Sequence, residues 1–313
     1  MRITCNSQAF VRIFCLLGFI LKELHFSAVI QKLFRTDPRY PALLAALCAA
    51  PEVLYYEGDL SVLEAPCLAM VGTRRCTARG EATALRFAET LAAWGVTLVS
   101  GLAFGIDAAA HRGALNANGK TVAVLAQPLN EIRPAAHRGL AQEIVAKGGL
   151  LLSEYAPGDI TYKSDYLLRN RLIAGLCSAT LVVEAGYPSG ALNTAKHALE
   201  EDRDVLCVPG RIEDESSEGC LDLIKRGAHL VTRPSDLIAV LKLPEEKRHF
   251  ASRSLRLIGL EKELFDLLQK TPLSSSQLSD EFMGRLPELY EALSNLELRG
   301  ILSLTQNRCY TVV

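Results

Sequence analysis

The stretch VSGLAFGIDAAAHRGAL, Val99–Leu115, decides how this chain is read. It leaves an apolar strand, turns on two glycines and enters an alanine-rich helix. The first amides of a helix lack partners within the helix, so a turn of this kind offers donors to an anion. The stretch is expected to cradle a phosphate, whether of a dinucleotide, a nucleoside triphosphate or a nucleic acid backbone.

Outward from it, short apolar runs rich in Val and Leu recur: CLAMVG (67–72), VTLVSG (96–101), TVAVLA (121–126), GLLLSE (149–154), ATLVVEA (179–185), DVLCVPG (204–210) and AHLVT (228–232). Runs without polar alternation suit strands covered on both faces. Helical patterns separate them at 79–94, 106–117, 137–147, 168–176, 190–201 and 217–227. Regular β–α alternation predicts an α/β fold: an extended, Rossmann-like, doubly wound and mainly parallel sheet over residues 65–241. Residues 1–64 read as a small helical N-terminal region. The charged, aperiodic KLPEEKRHFASRS (242–254) reads as a linker. Residues 255–313 hold three helical patterns and the alternating ILSLTQNRCYTVV around Gln306–Asn307, which together predict a winged helix.

With 313 residues, 49% hydrophobic, the chain has enough apolar material for about two domains. Its net charge of −1 gives no global basic field, so any nucleic-acid binding must come from a local pocket. Nine scattered cysteines form no CxxC pair, which suggests free thiols in a reducing cytoplasm. The histidines show no ligand spacing, so no metal is expected. The apolar IFCLLGFIL (Ile13–Leu21), behind Arg2 and Arg12, is too short to span a bilayer. With no small-residue cleavage site close behind, it reads as a buried helix, or as sequence ahead of the true start, and no membrane partner is expected.

The carboxyl ends of the strands should gather the site. Gly72 and Gly101 would let amides approach an anion, Thr73 adds a hydroxyl and Arg74 a planar five-donor fork. In TYKSDYLLRNRLIAGL (161–176), Lys163, Arg169 and Arg171 lie close to Tyr162 and Tyr166, a mixture that can hold phosphates while a base stacks on a ring. A solvated helix start with tyrosines on the core is the plainer alternative. Ser189 and Gly190 open another helix at the same edge. ALNANGKT (114–121) matches a loose Walker pattern but closes a helix ahead of a strand, the wrong context for a P-loop, with Gly119 read as a C-cap. Asp107 and His111 stand four residues apart, Asp107 reading as a cap or loop bond. Glu154 and Glu184 end what read as neighbouring strands. None of these amounts to a catalytic set, and no cofactor is expected.

Taken together, VGTR, SGLAFGIDAAAH, LLSE, YLLRNRLIAGL, SGALNTAKHAL and VPG resemble the motifs of the DNA-processing protein family DprA, also called Smf. The resemblance spans about residues 40–240. It implies a single-stranded DNA-binding protein without catalysis, which protects incoming strands in natural transformation and loads the RecA recombinase. With the residues read above, it gives expected DNA contacts at Thr73, Arg74, Gly101, Gly105, Lys163, Tyr166, Arg169, Asn170, Arg171, Ser189 and Gly190, and at Phe104, which either stacks a base or simply packs. It also implies a homodimer formed through 219–231, with Ile224 and Leu230 as apolar contacts; plain core packing is the alternative for both. Two positions and one region depart from the family pattern. Phe104 stands where arginine is common, Leu167 replaces a proline, and the N-terminal region lacks a GVG pattern.

Two competing readings follow from the residues. YPSGALNTAKHALE loosely resembles the PGGxGTxxE motif of phosphoribohydrolases, which would make the chain a nucleotide hydrolase. A C-terminal winged helix could instead read duplex DNA, yet its recognition-helix candidate carries Glu288, Glu291 and Glu297, which repel phosphate.

Overall fold

The computed structural model describes residues 30–243, 259–298, 301–305 and 308–312. The stretch Ile13–Leu21, most of the linker, Gly300 and the Gln306–Asn307 tip lie outside them. The chain divides into two compact units, Met1–Glu245 and Glu246–Val313.

The first unit is built on a nine-stranded sheet. Its strands are β1 (Gln31–Phe34), β2 (Val53–Gly58), β3 (Cys67–Val71), β4 (Thr97–Ser100), β5 (Thr121–Leu125), β6 (Leu150–Ser153), β7 (Ala179–Val182), β8 (Asp204–Cys207) and β9 (His229–Leu230). They lie in the order β1-β2-β6-β5-β4-β3-β7-β8-β9. From β6 to β9 every pairing is parallel, whereas β1–β2 and β2–β6 are antiparallel. The fold is thus a mainly parallel, Rossmann-like α/β sheet, as the alternation predicts.

Both faces are covered because neighbouring residues point to opposite sides. On β5, Val122 and Val124 join one core while Ala123 and Leu125 join the other. On β6, Leu150 and Leu152 are separated from Leu151 in the same way. The helices that supply the cover are α2 (Ala78–Ala93), α3 (Ile106–Asn116), α4 (Arg138–Ala146), α5 (Asp165–Gly175), α6 (Gly190–Glu200) and α7 (Glu218–Lys225). They follow a single turn at α1 (Ala42–Ala45) and precede a short α8 (Leu237–Val240).

The expected helical N-terminal region is corrected over 30–64. Only α1 and one 3-10 turn are helical there, and β1 and β2 extend the main sheet. VLYYEG is aromatic and alternates in burial, which favours a half-covered strand. The Tyr56 hydroxyl donates to Gln31 Oε1 across the β1–β2 pair at 2.6 Å. Two smaller readings also change. β6 and β7 are not neighbours, since β5, β4 and β3 lie between them, so Glu154 and Glu184 are far apart in the sheet. After α3, Asn118 takes the left-handed conformation (φ 53°), and Gly119 sits there because a Cβ would meet Ala92 Cβ at 2.5 Å.

The second unit holds α9 (Leu260–Leu268), α10 (Ser275–Glu281), α11 (Leu286–Leu298) and the strands β10 (Leu273–Ser274), β11 (Leu302–Leu304) and β12 (Cys309–Val312). The strands form an antiparallel sheet in the order β10-β12-β11. Leu264, Leu278, Leu289 and Leu296 lie in its core. The serine run caps α10: Ser274 Oγ accepts from the Gln277 amide, and the Ser274 amide donates to Gln277 Oε1. Glu288, Glu291 and Glu297 on α11 are all exposed.

Candidate nucleic-acid interface

The chain runs from β3 outward to β4, β5 and β6, then returns to β7 on the other side of β3. That reversal opens a crevice at the carboxyl ends of β3 and β7, the place where open α/β sheets bind ligands. The two loops are tied at its base: the Thr73 amide donates to Glu184 O at 2.7 Å, and the Val183 amide to Val71 O at 3.1 Å. Above them lies a cleft of about 660 Å³, lined by the turn after β3, the start of α5 and the start of α6.

Eight of the twelve sequence-derived contact residues line this cleft: Thr73, Arg74, Lys163, Tyr166, Arg169, Asn170, Ser189 and Gly190. Arg74 and Lys163 are exposed and form no ion pair among the described residues. The Arg74 guanidinium lies over the Tyr166 ring, 5.6 Å from its centroid, within range of a cation–π contact. Thr73 Oγ1 accepts from the Arg75 amide at 3.2 Å, which leaves its hydroxyl proton available. Ser189 caps α6 as expected, its Oγ accepting from the Ala191 amide at 3.2 Å. A Cβ on Gly190 would meet nothing within 4 Å, so this glycine leaves open space at the rim.

Beneath this surface the remaining polar groups are spent on the scaffold. Three amides around the turn after β4 are taken up within the chain. Asp107, buried in the first turn of α3, takes the Gly101 amide at 3.1 Å and the Ala103 amide at 3.4 Å on Oδ2. The Ile106 amide goes to Thr73 O at 3.3 Å. The Gly101 and Ala103 amides are therefore taken by the chain's own carboxylate, a bond within the loop of the kind anticipated for Asp107. Burial raises its pKa, opposed by the charge of Arg169 and by the two amide bonds.

Arg169 is the floor of the cleft rather than its surface. It is 4% exposed, and its guanidinium donates to the backbone carbonyls of Gly101 and Val124 and to Asn170 Oδ1. Desolvation brings its pKa down to about 10, with Asp107 opposing the shift. A Cβ on Gly101 would meet the guanidinium at 2.5 Å, so this glycine exists for Arg169 and not for an anion. Asn170 donates through Nδ2 to Gly190 O and Asn193 Oδ1, both at 3.1 Å, bracing α5 against α6. Arg171 points elsewhere and pairs with Glu154. Gly101, Arg169 and Arg171 thus each have partners within the scaffold.

Phe104 and Gly105 belong to a second, adjoining cleft. Arg74 lines it too, but the sequence reading missed Arg75, Arg112 and His137. Arg75 was visible as the second half of an arginine doublet. His137 carries no local signal, because only a bond across 35 residues brings it to Leu102. His111 bonds Thr121, not Asp107. The single glutamate of the phosphoribohydrolase-like string, Glu200, lies at the far end of α6, where it pairs with Lys196 and His197. Of the dimer candidates, Leu230 is 52% exposed on the edge strand β9, and Ile224 packs partly buried against the core. No helix among the described residues is long and apolar enough to cross a membrane.

Residues 31–242 match the family model of DNA recombination-mediator protein A. The DNA processing protein DprA of Streptococcus pneumoniae is 41% identical over 224 residues, covering 71% of this chain and 79% of that protein. Protein Smf of Escherichia coli is 44% identical over 203 residues, covering 65% of this chain but only 54% of its own length. Among solved structures, S. pneumoniae DprA superposes with a TM-score of 0.64 at 38% identity, covering 75% of this chain and 82% of that one. DNA processing protein A of Helicobacter pylori, whose structure concerns its single-stranded DNA binding mode, gives 0.62 at 30% identity, covering 70% and 97%. With the motifs, the sheet order and these matches in agreement, the chain belongs to the DNA recombination-mediator protein A family, that of the DprA and Smf proteins.

Proposed function

We propose that this protein binds single-stranded DNA in the cleft at the β3–β7 crevice and acts by binding rather than catalysis, without a cofactor or metal. One observation carries the reading: Arg74 and Lys163, both without a carboxylate partner among the described residues, flank Tyr166 in one open cleft. Cations supply the phosphate contacts and the ring supplies a stacking face that tolerates any base. Thr73, Ser189 and Gly190 form the polar rim. The H. pylori relative, studied for its binding of single-stranded DNA, supports the same ligand here.

For the wider role we propose what the family resemblance implies: protection of incoming strands and delivery to the RecA recombinase in the cytoplasm during transformation. A homodimer through the α7–β9 segment belongs to the same reading, supported by Leu230 standing exposed on an edge strand. The second unit is read as a winged helix that meets protein rather than duplex DNA, supported by the exposed acids of α11.

The test is an anisotropy titration of labelled oligo-dT and of the matching duplex at two salt concentrations. Wild type should prefer the single strand, with a log–log salt slope near −0.7 for each phosphate neutralised. Lys163→Ala and Arg74→Ala should each weaken binding and flatten that slope. Unchanged affinity in both variants would remove DNA from this cleft.

A further inference from the structure

A second concavity of about 430 Å³ adjoins the first, and Arg74 and Arg75 line both. Its other walls are Phe104, Arg112 and His137, with Glu81 at the margin. Arg75 forms no ion pair among the described residues, and Arg112 reaches Glu81 only at 3.8 Å, with both side chains about half exposed. Three arginines against one carboxylate leave the cleft positive.

Phe104 is 48% exposed, an unusual setting for a phenyl ring with apolar cores on both sides of the sheet. It is nonetheless held in place. Its ring meets His137 edge-on, with centroids 4.7 Å apart and planes at 62°. His137 is itself buried, and its Nδ1–H donates to Leu102 O at 2.8 Å. On the other side Gly105 has φ 75°, and a Cβ there would meet Thr73 O at 2.3 Å. Only glycine lets the Phe104 loop lie this close to the arginine turn. The ring is therefore positioned beside unpaired cations while part of its surface stays open.

We propose that this second cleft holds further nucleotides of the same single strand, with a base on the Phe104 ring and phosphates on Arg75 and Arg112. The strand would pass from Tyr166 over the Arg74–Arg75 turn to Phe104, two stacking platforms joined by a shared ridge of positive charge. This rests on the reading of the first cleft and extends it to a longer footprint.

The experiment is a length series of labelled oligo-dT, from about 2 to 20 nucleotides, titrated against the full chain at several salt concentrations. Wild type is compared with Lys163→Ala, Phe104→Ala, Phe104→Tyr and Arg112→Ala. The expected loss for Phe104→Ala grows with length to about 5- to 100-fold, the worth of one stacked base, and Phe104→Tyr restores it. Arg112→Ala should reduce the magnitude of the salt slope by about 0.7 on long oligonucleotides. If Lys163→Ala weakens binding while Phe104→Ala and Arg112→Ala match wild type at every length, the second cleft is empty and the first reading survives. A loss in Phe104→Ala that is equal at all lengths and accompanied by a lower melting temperature makes the ring structural and overturns its role as a platform. If wild type binds no oligonucleotide, both readings fall.

Discussion

Arg169 and Lys163 illustrate how two cations of one motif divide their work. Lys163 is exposed and unpaired among the described residues, whereas Arg169 is buried and bonded to carbonyls that fix two strand ends. Arg169→Met should therefore cost about 3–5 kcal/mol, because it removes those bonds and leaves the Asp107 carboxylate without its cation. Lys163→Ala should change stability by less than about 0.5 kcal/mol and act on DNA affinity alone. Urea denaturation of both variants, set beside the titration, would separate the roles. The motif itself was legible in the sequence, but its division of labour was not. Arg169 and Arg171 stand about 200° apart around a helix, and which one faces the crevice depends on how that helix is seated on the sheet. The Gly101 amide, expected to approach an anion, is taken by Asp107 of the same short string, the loop bond that the sequence offered for that residue.

Among the elements, the parallel strands were readable because burial on both faces leaves unbroken apolar runs. β2 was passed over beside the alanine-rich ALLAALCAA, of which only Ala42–Ala45 became α-helix. The seam between α3 and β5 has its own pH response. His111 is fully buried, its Nδ1 lies 2.7 Å from Thr121 Oγ1, and that hydroxyl donates to Leu98 O. With the hydroxyl proton so committed, His111 Nδ1–H must be the donor, and Nε2 has no partner. Burial, aided by the nearby His137 and Arg169, lowers the His111 pKa to about 3. The unfolded chain binds this proton near pH 6.5 and the folded chain does not, so stability is complete above pH 6.5 and is lost as the pH falls toward 3. Between pH 7 and 5 the loss should be about 2 kcal/mol, and His111→Asn should flatten that part of the curve. Melting temperatures across this range would show it.

For the whole molecule, the β–α order was enough to place the site, since the chain's reversal at β3 and β7 puts the turns at one edge. The charged stretch at 242–254 was the sequence's signal for a linker, and the chain divides into units at Glu245 and Glu246. Every residue of both clefts belongs to the first unit. A chain ending near Lys242 should therefore keep its affinity for single-stranded DNA within about twofold, a shift of roughly 0.4 kcal/mol. Loss of binding on truncation, in a fragment that still melts cooperatively, would assign part of the DNA surface to the second unit. With a net charge of −1, the protein should release DNA at modest ionic strength, because its positive potential is confined to a few arginines and Lys163.

The guanidinium lying over Tyr166 has a calorimetric consequence. In the free protein that face of the ring is already shielded, so a base arriving there displaces a cation instead of a hydration layer. Little new aromatic surface is dehydrated, and the heat-capacity change of association should be small for a stacking contact. The displaced Arg74 is then free to turn toward a phosphate, so one movement would exchange a cation–π contact for a charge-assisted hydrogen bond.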